Sequence, residues 1–527
     1  MAPYFGLRGS RLILGSIIAI VMPAFVCFGF TQTSGGAVLP LYSFYTQFPA
    51  LNTFTVKGSQ EHHNSLIQGT VVSIYTVGGI FGSLSCVWFG DLLGRRKTIF
   101  VANVVAIIGS VIISSSFSLA QLIVGRIVLG VGMGGVIASI PVWQSELSKP
   151  THRGKHVVTE AIFITSGLFV CLWIFYGLSF VQDNSVSWRF PLALPIIFNF
   201  TVLCLIFSFP ESPRWLLKHG RRAEALKILA ALEDAPEDSP KVQTDLRSIE
   251  ISIELVGQTS LKDLLKMGKH RYFHRVVLGS LIQVFLQLTG VNVVAIYATV
   301  IFEVDLGYSQ STSRILSAMM QLTATAGGFC CFFTIERFGR RKLLIASAIA
   351  QSICFAIIAG TTSNPHNQKA LIAAVVFFFV YTFVYVMGFL GIPFLYAAEI
   401  APQHLRAAMS GVSVGFSWAF NFLVLMVTPV GFTTIGYKYY IVYACINAAI
   451  APLIYFFFPE TSGRSLEDIN LIFEHSKNIF DPVKVAKRLP REHLNELVDS
   501  GNLEIQHKAM TEQKENVTET INSDVSA

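Results

Sequence analysis

Runs of apolar residues alternate with short polar segments along the whole chain, and the runs are long enough to cross a bilayer. A spanning helix needs about 20 apolar residues. By that measure twelve runs qualify, near 12–30, 67–89, 98–117, 119–142, 157–180, 190–209, 275–300, 315–334, 343–361, 370–397, 407–432 and 437–458. Two of the polar breaks read alike. Gly90-Asp-Leu-Leu-Gly-Arg-Arg-Lys97 and Glu336-Arg-Phe-Gly-Arg-Arg-Lys342 share an acid, a glycine and Arg-Arg-Lys in that order. Pro141, Glu146 and Arg153 keep nearly the same offset to Pro393, Glu399 and Arg406, and Pro210-Glu211 answers Pro459-Glu460. A weak repeat at half the chain length is the mark of a transporter whose two bundles rock around a central site. The fold class expected is an all-α membrane protein with twelve transmembrane helices in two six-helix bundles, residues 1–210 and 275–458. A cytosolic helical linker, 211–274, joins them, and a cytosolic helix and disordered tail, 459–527, follow.

Composition agrees with the pattern, since 52% of residues are hydrophobic and 13% charged, against about 25% charged in ordinary soluble chains. The formal net charge of +7 would fit a nucleic-acid partner if the cations shared a face, but they sit in alternate loops. Arg95, Arg96 and Lys97, then Lys149, Arg153 and Lys155, then Arg337, Arg340, Arg341 and Lys342 fall in even-numbered loops. The positive-inside rule places these loops and both termini in the cytosol. That topological role accounts for the clusters with no nucleic acid, though it does not exclude a second role. All eight cysteines fall within predicted spans, with no disulfide framework and no metal-ligand spacing. The first run reads as an uncleaved anchor.

Few polar groups lie at membrane depth. Span 1 ends in Gly29-Phe-Thr-Gln-Thr-Ser-Gly-Gly36, which is either helix-packing surface or cavity lining. The glycines from Gly130 to Gly135 lie inside an apolar helix with no preceding strand, so they read as close helix packing and not as a dinucleotide fingerprint. No phosphate-cradling loop exists, which excludes an ATP-driven pump, and no cofactor is called for. Arg126 is a charge in mid-span, a functional candidate by default, unless it reaches only backbone carbonyls. Helical periodicity in Arg221–Glu233, Leu246–Leu255, Leu261–Met267 and Ser465–Glu474 predicts short cytosolic helices, and the composition after Gly501 is that of a disordered tail.

These residues together resemble the sugar porters of the major facilitator superfamily, over nearly the full chain. The likeness rests on Gly90-Asp-Leu-Leu-Gly-Arg-Arg96, Gly125-Arg126, Glu146 with Arg153-Gly154, Pro210-Glu-Ser-Pro-Arg-Trp-Leu216 and Gln287-Leu-Thr-Gly-Val-Asn292. It continues through Glu336-Arg-Phe-Gly-Arg-Arg341, Glu399 with Arg406, and Pro459-Glu-Thr-Ser-Gly-Arg464. Pro141-Val-Trp-Gln-Ser-Glu146, Trp188-Arg-Phe-Pro191 and Gly463-Arg-Ser-Leu-Glu467 look most like a fungal branch that includes glycerol–proton symporters. The resemblance implies the major facilitator fold and a monomer in the plasma membrane. It also implies alternating-access transport of a small neutral sugar or polyol (hexose, pentose or glycerol), with H+ as a co-substrate in symporters.

Beside that resemblance, the charged motifs have a physical reading as a cytosolic gate. Asp91, Glu146, Glu336 and Glu399 can pair with Arg95, Arg96, Arg153, Arg340, Arg341 and Arg406, while Glu211, Arg214, Glu460 and Arg464 lock the underlying helices. Such pairs need only a few kcal/mol between conformers to bias alternating access. The family's substrate contacts come largely from span 7. Gln283 and Gln287 are four apart, on one helical face, and amides suit hydroxyl-rich ligands because they donate and accept. Asn292 lies ~140° from Gln287 in an unbroken helix, so Gly290 must break the helix if both are to face one cavity. Tyr297 is a lid, and in span 11 Trp418 is a stacking wall beside Asn421. Interhelical hydrogen bonding without ligand is the other reading of each amide.

Departures from the family pattern are informative. Ala161 and Leu286 stand where glutamines are usual and Phe394 where tryptophan is usual, which suits a smaller or less hydroxylated ligand. Proton-coupled members carry an acid where this chain has Thr31, which does not titrate near neutral pH. Coupling therefore falls to Glu160 with Arg126, or transport is facilitated diffusion. A non-transporting nutrient receptor on the same fold is the rival reading.

Overall fold

The computed structural model describes residues 3–488 except 54, 55, 57, 149–152, 182–183, 257–260, 269, 306, 365–366, 403–404 and 465. Among them are twelve helices long and apolar enough to span a membrane: Gly9–Ala37, Leu66–Leu92, Arg95–Ser114, Leu119–Leu147, Val158–Leu178, Val186–Ser208, Tyr272–Ile296, Gln310–Phe338, Arg340–Thr362, Gln368–Ile400, Arg406–Phe432 and Lys438–Phe457. These are spans 1 to 12. The short helices expected outside the spans are present with shifted ends, as Arg222–Glu233, Pro240–Val256 and Leu466–Glu474 are helices and Leu261–Leu265 is a 3₁₀ turn. A further helix, Asp481–Arg488, was not legible in the apolar pattern. The tail expected to be disordered lies outside the described residues.

Two differences from the sequence reading have a common cause. The apolar runs near 98 and 343 start after Arg-Arg-Lys, yet spans 3 and 9 begin at Arg95 and Arg340. Hydropathy sees only side chains, whereas a helix begins where its first N–H groups find acceptors. Span 2 likewise sits in a helix, Ser59–Leu92, that begins before the apolar run near 67.

Small residues decide how closely the helices approach. Gly130 and Gly134 of span 4 lie against span 2, where an added Cβ would come 2.0 Å from Tyr75 O and 2.3 Å from Gly79 O. Gly132, between them in sequence, faces span 3, with an added Cβ 2.4 Å from Ala106 N. The glycine run thus packs span 4 against two neighbours at once, as interhelical packing without a hydrophobic driving force requires. The halves meet chiefly where span 2 packs along span 11 and span 5 along span 8.

Candidate functional site

A cavity of ≈ 70 Å³ lies between the halves, lined from spans 1, 4, 5, 7, 10 and 11. That is small against the ~300–1,000 Å³ of drug-sized ligand sites. Span 7 supplies its polar wall. The helix Tyr272–Leu288 ends, Gly290 takes φ +96°, and a second helix runs Val291–Val300. The carbonyl of Thr289, freed at this break, accepts from Tyr381 Oη at 3.1 Å and Asn447 Nδ2 at 3.1 Å. Gln287 and Asn292 consequently meet: Asn292 Nδ2 donates to Gln287 Oε1 at 2.8 Å, and Gln287 Nε2 donates to Ser417 Oγ at 2.9 Å.

Gln287, Asn292, Trp418 and Asn421 all line the cavity, with Gln32, Ser417 and Tyr385. Gln283 does not, although it shares a helical face with Gln287; it is fully buried and its amide atoms have no hydrogen-bond partner among the described residues. Tyr297 is on the second helix of span 7, and its side chain lies outside the described residues. The Trp418 ring meets Phe28 and Tyr75 edge-on at 5.8 and 5.5 Å. Gln32 Oε1, Trp418 Nε1 and Asn421 Oδ1 are buried without a hydrogen-bond partner among the described residues, and such orphaned groups are costly unless a ligand or water meets them.

Tyr75 of span 2, which the sequence reading missed, ties the candidate coupling residues together. Its hydroxyl shares a hydrogen bond of 3.2 Å with Thr31 Oγ1, and Arg126 lies over its ring at 5.7 Å. Arg126 Nη2 donates to Val72 O at 2.9 Å, and the guanidinium occupies the space a Cβ on Gly35 would need. Glu160 stands on span 5 one helical turn before Ile164, which lines the cavity. It is fully buried, and among the described buried acids it alone has both carboxylate oxygens without a hydrogen-bond partner.

The face of the bundle that carries the two Arg-Arg-Lys motifs is closed by buried ion pairs. Glu146 accepts from Arg95 Nε at 3.0 Å and Nη2 at 3.1 Å, and from Arg406 Nη1, in the other half, at 3.0 Å. In the second half Arg340 pairs with Glu336 at 2.8 Å and Glu399 at 2.9 Å, and Thr461 Oγ1 donates to Glu399 at 2.7 Å. Asp91 lies 3.6 Å from Arg95 and is bonded to Lys218. Glu211 and Glu460 act through backbone. Glu211 accepts from the N–H groups of Arg95 and Arg96 at 3.2 and 3.1 Å, and Glu460 from those of Arg340 and Arg341 at 2.9 and 3.1 Å. Each acid therefore fixes the first turn of span 3 or span 9. Burial pushes the Glu211 carboxyl above its ordinary range, against the lowering effect of the N–H groups of Ser212 and Arg96.

The remaining gate residues fall elsewhere than expected. Arg96 and Arg341 donate to backbone carbonyls, Phe207 O at 2.7 Å and Tyr455 O at 2.5 Å, and lie on the adjoining rings. A guanidinium emerging beside an aromatic helix end finds carbonyls and a π face nearer than any acid. Arg464 donates to Ala486 O at 2.6 Å, tying the tail helix Asp481–Arg488 under the bundle. Arg214 is half-buried in the helix Pro213–Lys218, and the side chain of Arg153 lies outside the described residues.

A family model described as "Sugar (and other) transporter" matches residues 16–473. The sugar transporter STL1 of Saccharomyces cerevisiae is 34% identical over 506 residues, covering 95% of this chain and 88% of that protein. The MFS-type transporter oryC of Aspergillus oryzae is 35% identical over 507 residues, covering 93% and 91%. The low-affinity glucose transporter HXT1 of Saccharomyces cerevisiae is 31% identical over 470 residues, covering 86% and 80%. Among solved structures, the proton:xylose symporter XylE bound to 6-bromo-6-deoxy-D-glucose superposes with a TM-score of 0.77 at 21% identity, covering 88% of this chain and 100% of that one.

Proposed function

From the premise that this chain belongs to the sugar transporter family of the major facilitator superfamily, we propose that it carries a small neutral sugar or polyol across the membrane by alternating access. Residues 1–210 and 275–458 are the two rocking bundles, joined by the linker 211–274. The observation that carries the reading is the central cavity, where Gln287 and Asn292 converge with the orphaned polar atoms of Gln32, Trp418 and Asn421 above a closed cytosolic face. Hydroxyl groups of a ligand satisfy these atoms by donating to the amide oxygens and accepting from the indole N–H. With so little space and Ala161, Leu286 and Phe394 in place of larger polar groups, the site suits a polyol or pentose better than a bulkier, fully hydrated sugar.

Transport is coupled to H+ at Glu160 in this reading. Thr31 has no titratable group, whereas Glu160 is a carboxyl on the cavity side of span 5 without a counter-charge among the described residues. Arg126 is then a positioning residue, holding Tyr75 and the bend between spans 1, 2 and 4. The protein works as a monomer in the plasma membrane, with both termini in the cytosol. The test is uptake of labelled glycerol, pentoses and hexoses by transporter-null fungal cells expressing the chain, with and without a protonophore. Concentrative uptake of one solute, abolished by the protonophore and with KM raised at least about tenfold by Q287A, is expected. Absence of uptake of every solute from surface-expressed protein would overturn the transport reading; uptake that stops at equal concentrations would overturn the coupling.

A further inference from the structure

A second cavity is larger than the central one. A cavity of ≈ 420 Å³ opens on the cytosolic underside of the first half, between the start of span 3, the end of span 6 and the helix Arg222–Glu233. Four cations line it, Arg96, Lys97, Arg221 and Lys227, against two acids, Glu211 and Glu224. Both acids are already committed. Glu211 accepts from the N–H groups of Arg95, Arg96 and Ser212, and Glu224 is held by Arg221 through two hydrogen bonds of 2.8 and 2.6 Å. Lys97 and Lys227 are exposed and have no ion pair or hydrogen bond among the described residues, and the buried Nε of Arg96 has no hydrogen-bond partner either. Two of the four cations, Lys97 and Lys227, therefore bring positive charge to the cavity without an ion-pair partner among the described residues.

The surroundings indicate which anion would fill it. Phe207 lines the cavity and is half exposed, and Phe5 and Leu92, next in sequence to the lining residues Tyr4 and Leu93, are also exposed. Apolar side chains presented beside a basic cavity at a span end belong at the boundary between acyl chains and headgroups. Tyr4 reaches the cavity wall from a turn in which it and Phe5 take φ +58° and +55°. Two successive non-glycine residues in the left-handed region are a strained arrangement, of the kind found at ligand clamps.

We propose that this cavity binds a phosphate group, carried by an inner-leaflet lipid whose acyl chains lie along Phe207 and Leu92. Lysine ammonium groups serve as point charges for phosphate, and the Arg96 guanidinium, held in place by Phe207 O, adds a third positive charge beside them. The same phosphate chemistry is available from soluble phosphate esters, so the experiment separates the sources. Binding to the full purified chain in detergent would be followed by native mass spectrometry and by thermal shift. The probes are dioctanoyl phosphatidic acid, dioctanoyl phosphatidylcholine, inorganic phosphate and glycerol 3-phosphate. The variants are K97Q/K227Q and, as a control losing the same charge at the other span ends, K369Q/K438Q.

The expected result is phosphatidic acid binding weakened at least about tenfold in K97Q/K227Q, unchanged in K369Q/K438Q, and at least about tenfold tighter than either soluble phosphate. Soluble phosphate binding as tightly as the lipid, with the same loss in K97Q/K227Q, would retain the phosphate site and overturn its lipid source. Equal binding of phosphatidylcholine, or equal loss in both double variants, would overturn the site. Both readouts report occupancy and do not depend on any solute being transported.

Discussion

A single carboxylate, Glu146, receives guanidinium groups from both halves, so removing one partner acts on the conformational equilibrium more than on the fold. Breaking a buried ion pair by deleting one member costs about 3–5 kcal/mol, here charged to the cytosol-closed state alone. R406A is expected to raise hydrogen exchange at the end of span 4 and the start of span 11, where Glu146 and Arg406 meet; an exchange pattern identical to the parent would dissociate Arg406 from the gate. Glu160 calls for a different assay. E160Q is expected to lose protonophore-sensitive accumulation and to retain exchange of labelled for unlabelled solute, and accumulation at the parental level would rule Glu160 out as the coupling group. At this scale the sequence was readable where chemistry is local. Gln287 and Asn292 were named through the family resemblance and the gate acids from their residue type and position, and the structure brings Gln287 to Asn292 and the acids Glu146, Glu336 and Glu399 to arginines. Gln32 was legible only as part of a polar stretch that packs or lines a cavity, and Tyr75 and Tyr385 were not, because which side of spans 2 and 10 turns inward depends on neighbours that no local pattern names. Gln283 shows the converse limit, since a shared helical face does not make a residue reach the cavity when the space closes one turn lower.

Helices in this chain are interrupted where the site needs them to be. Gly290 is the clearest instance, at φ +96°, with an added Cβ placed 2.8 Å from Phe355 and 2.9 Å from Tyr443. Left-handed strain of about 1–3 kcal/mol and displacement of two rings predict that G290A lowers the thermal midpoint in detergent and separates Gln287 from Asn292, so that transport is lost more completely than stability. Parental uptake by G290A would mean that the break is not required. The need for this break was deducible from the angular offset of Asn292, and so were the twelve spans, because length and apolarity alone define them. The π turns at Ile17–Val21 and Val386–Leu390 were not, since one extra residue per turn leaves composition unchanged.

Across the whole molecule the two halves repeat their scaffolding and many of its contacts, Arg95–Glu146 answering Arg340–Glu399 and Arg96–Phe207 answering Arg341–Tyr455. Glu211 and Glu460 seat the first turns of spans 3 and 9 in the same way, and leaving buried N–H groups unmet costs roughly 1–3 kcal/mol. E211A and E460A should therefore lower the thermal midpoint by similar amounts, and a large difference between them would show that the repeat is one of sequence only. Between the halves themselves, Glu146 is bridged to Arg406. Trp418 occupies the same seam, its indole wedged from span 11 against Gly79 and Tyr75 of span 2 and Phe28 of span 1. The chain thus contains its own optical reporter: with six tryptophans in all, replacing the other five by phenylalanine would leave an emission whose colour and quenching follow the parting of the halves in real time, without any attached dye.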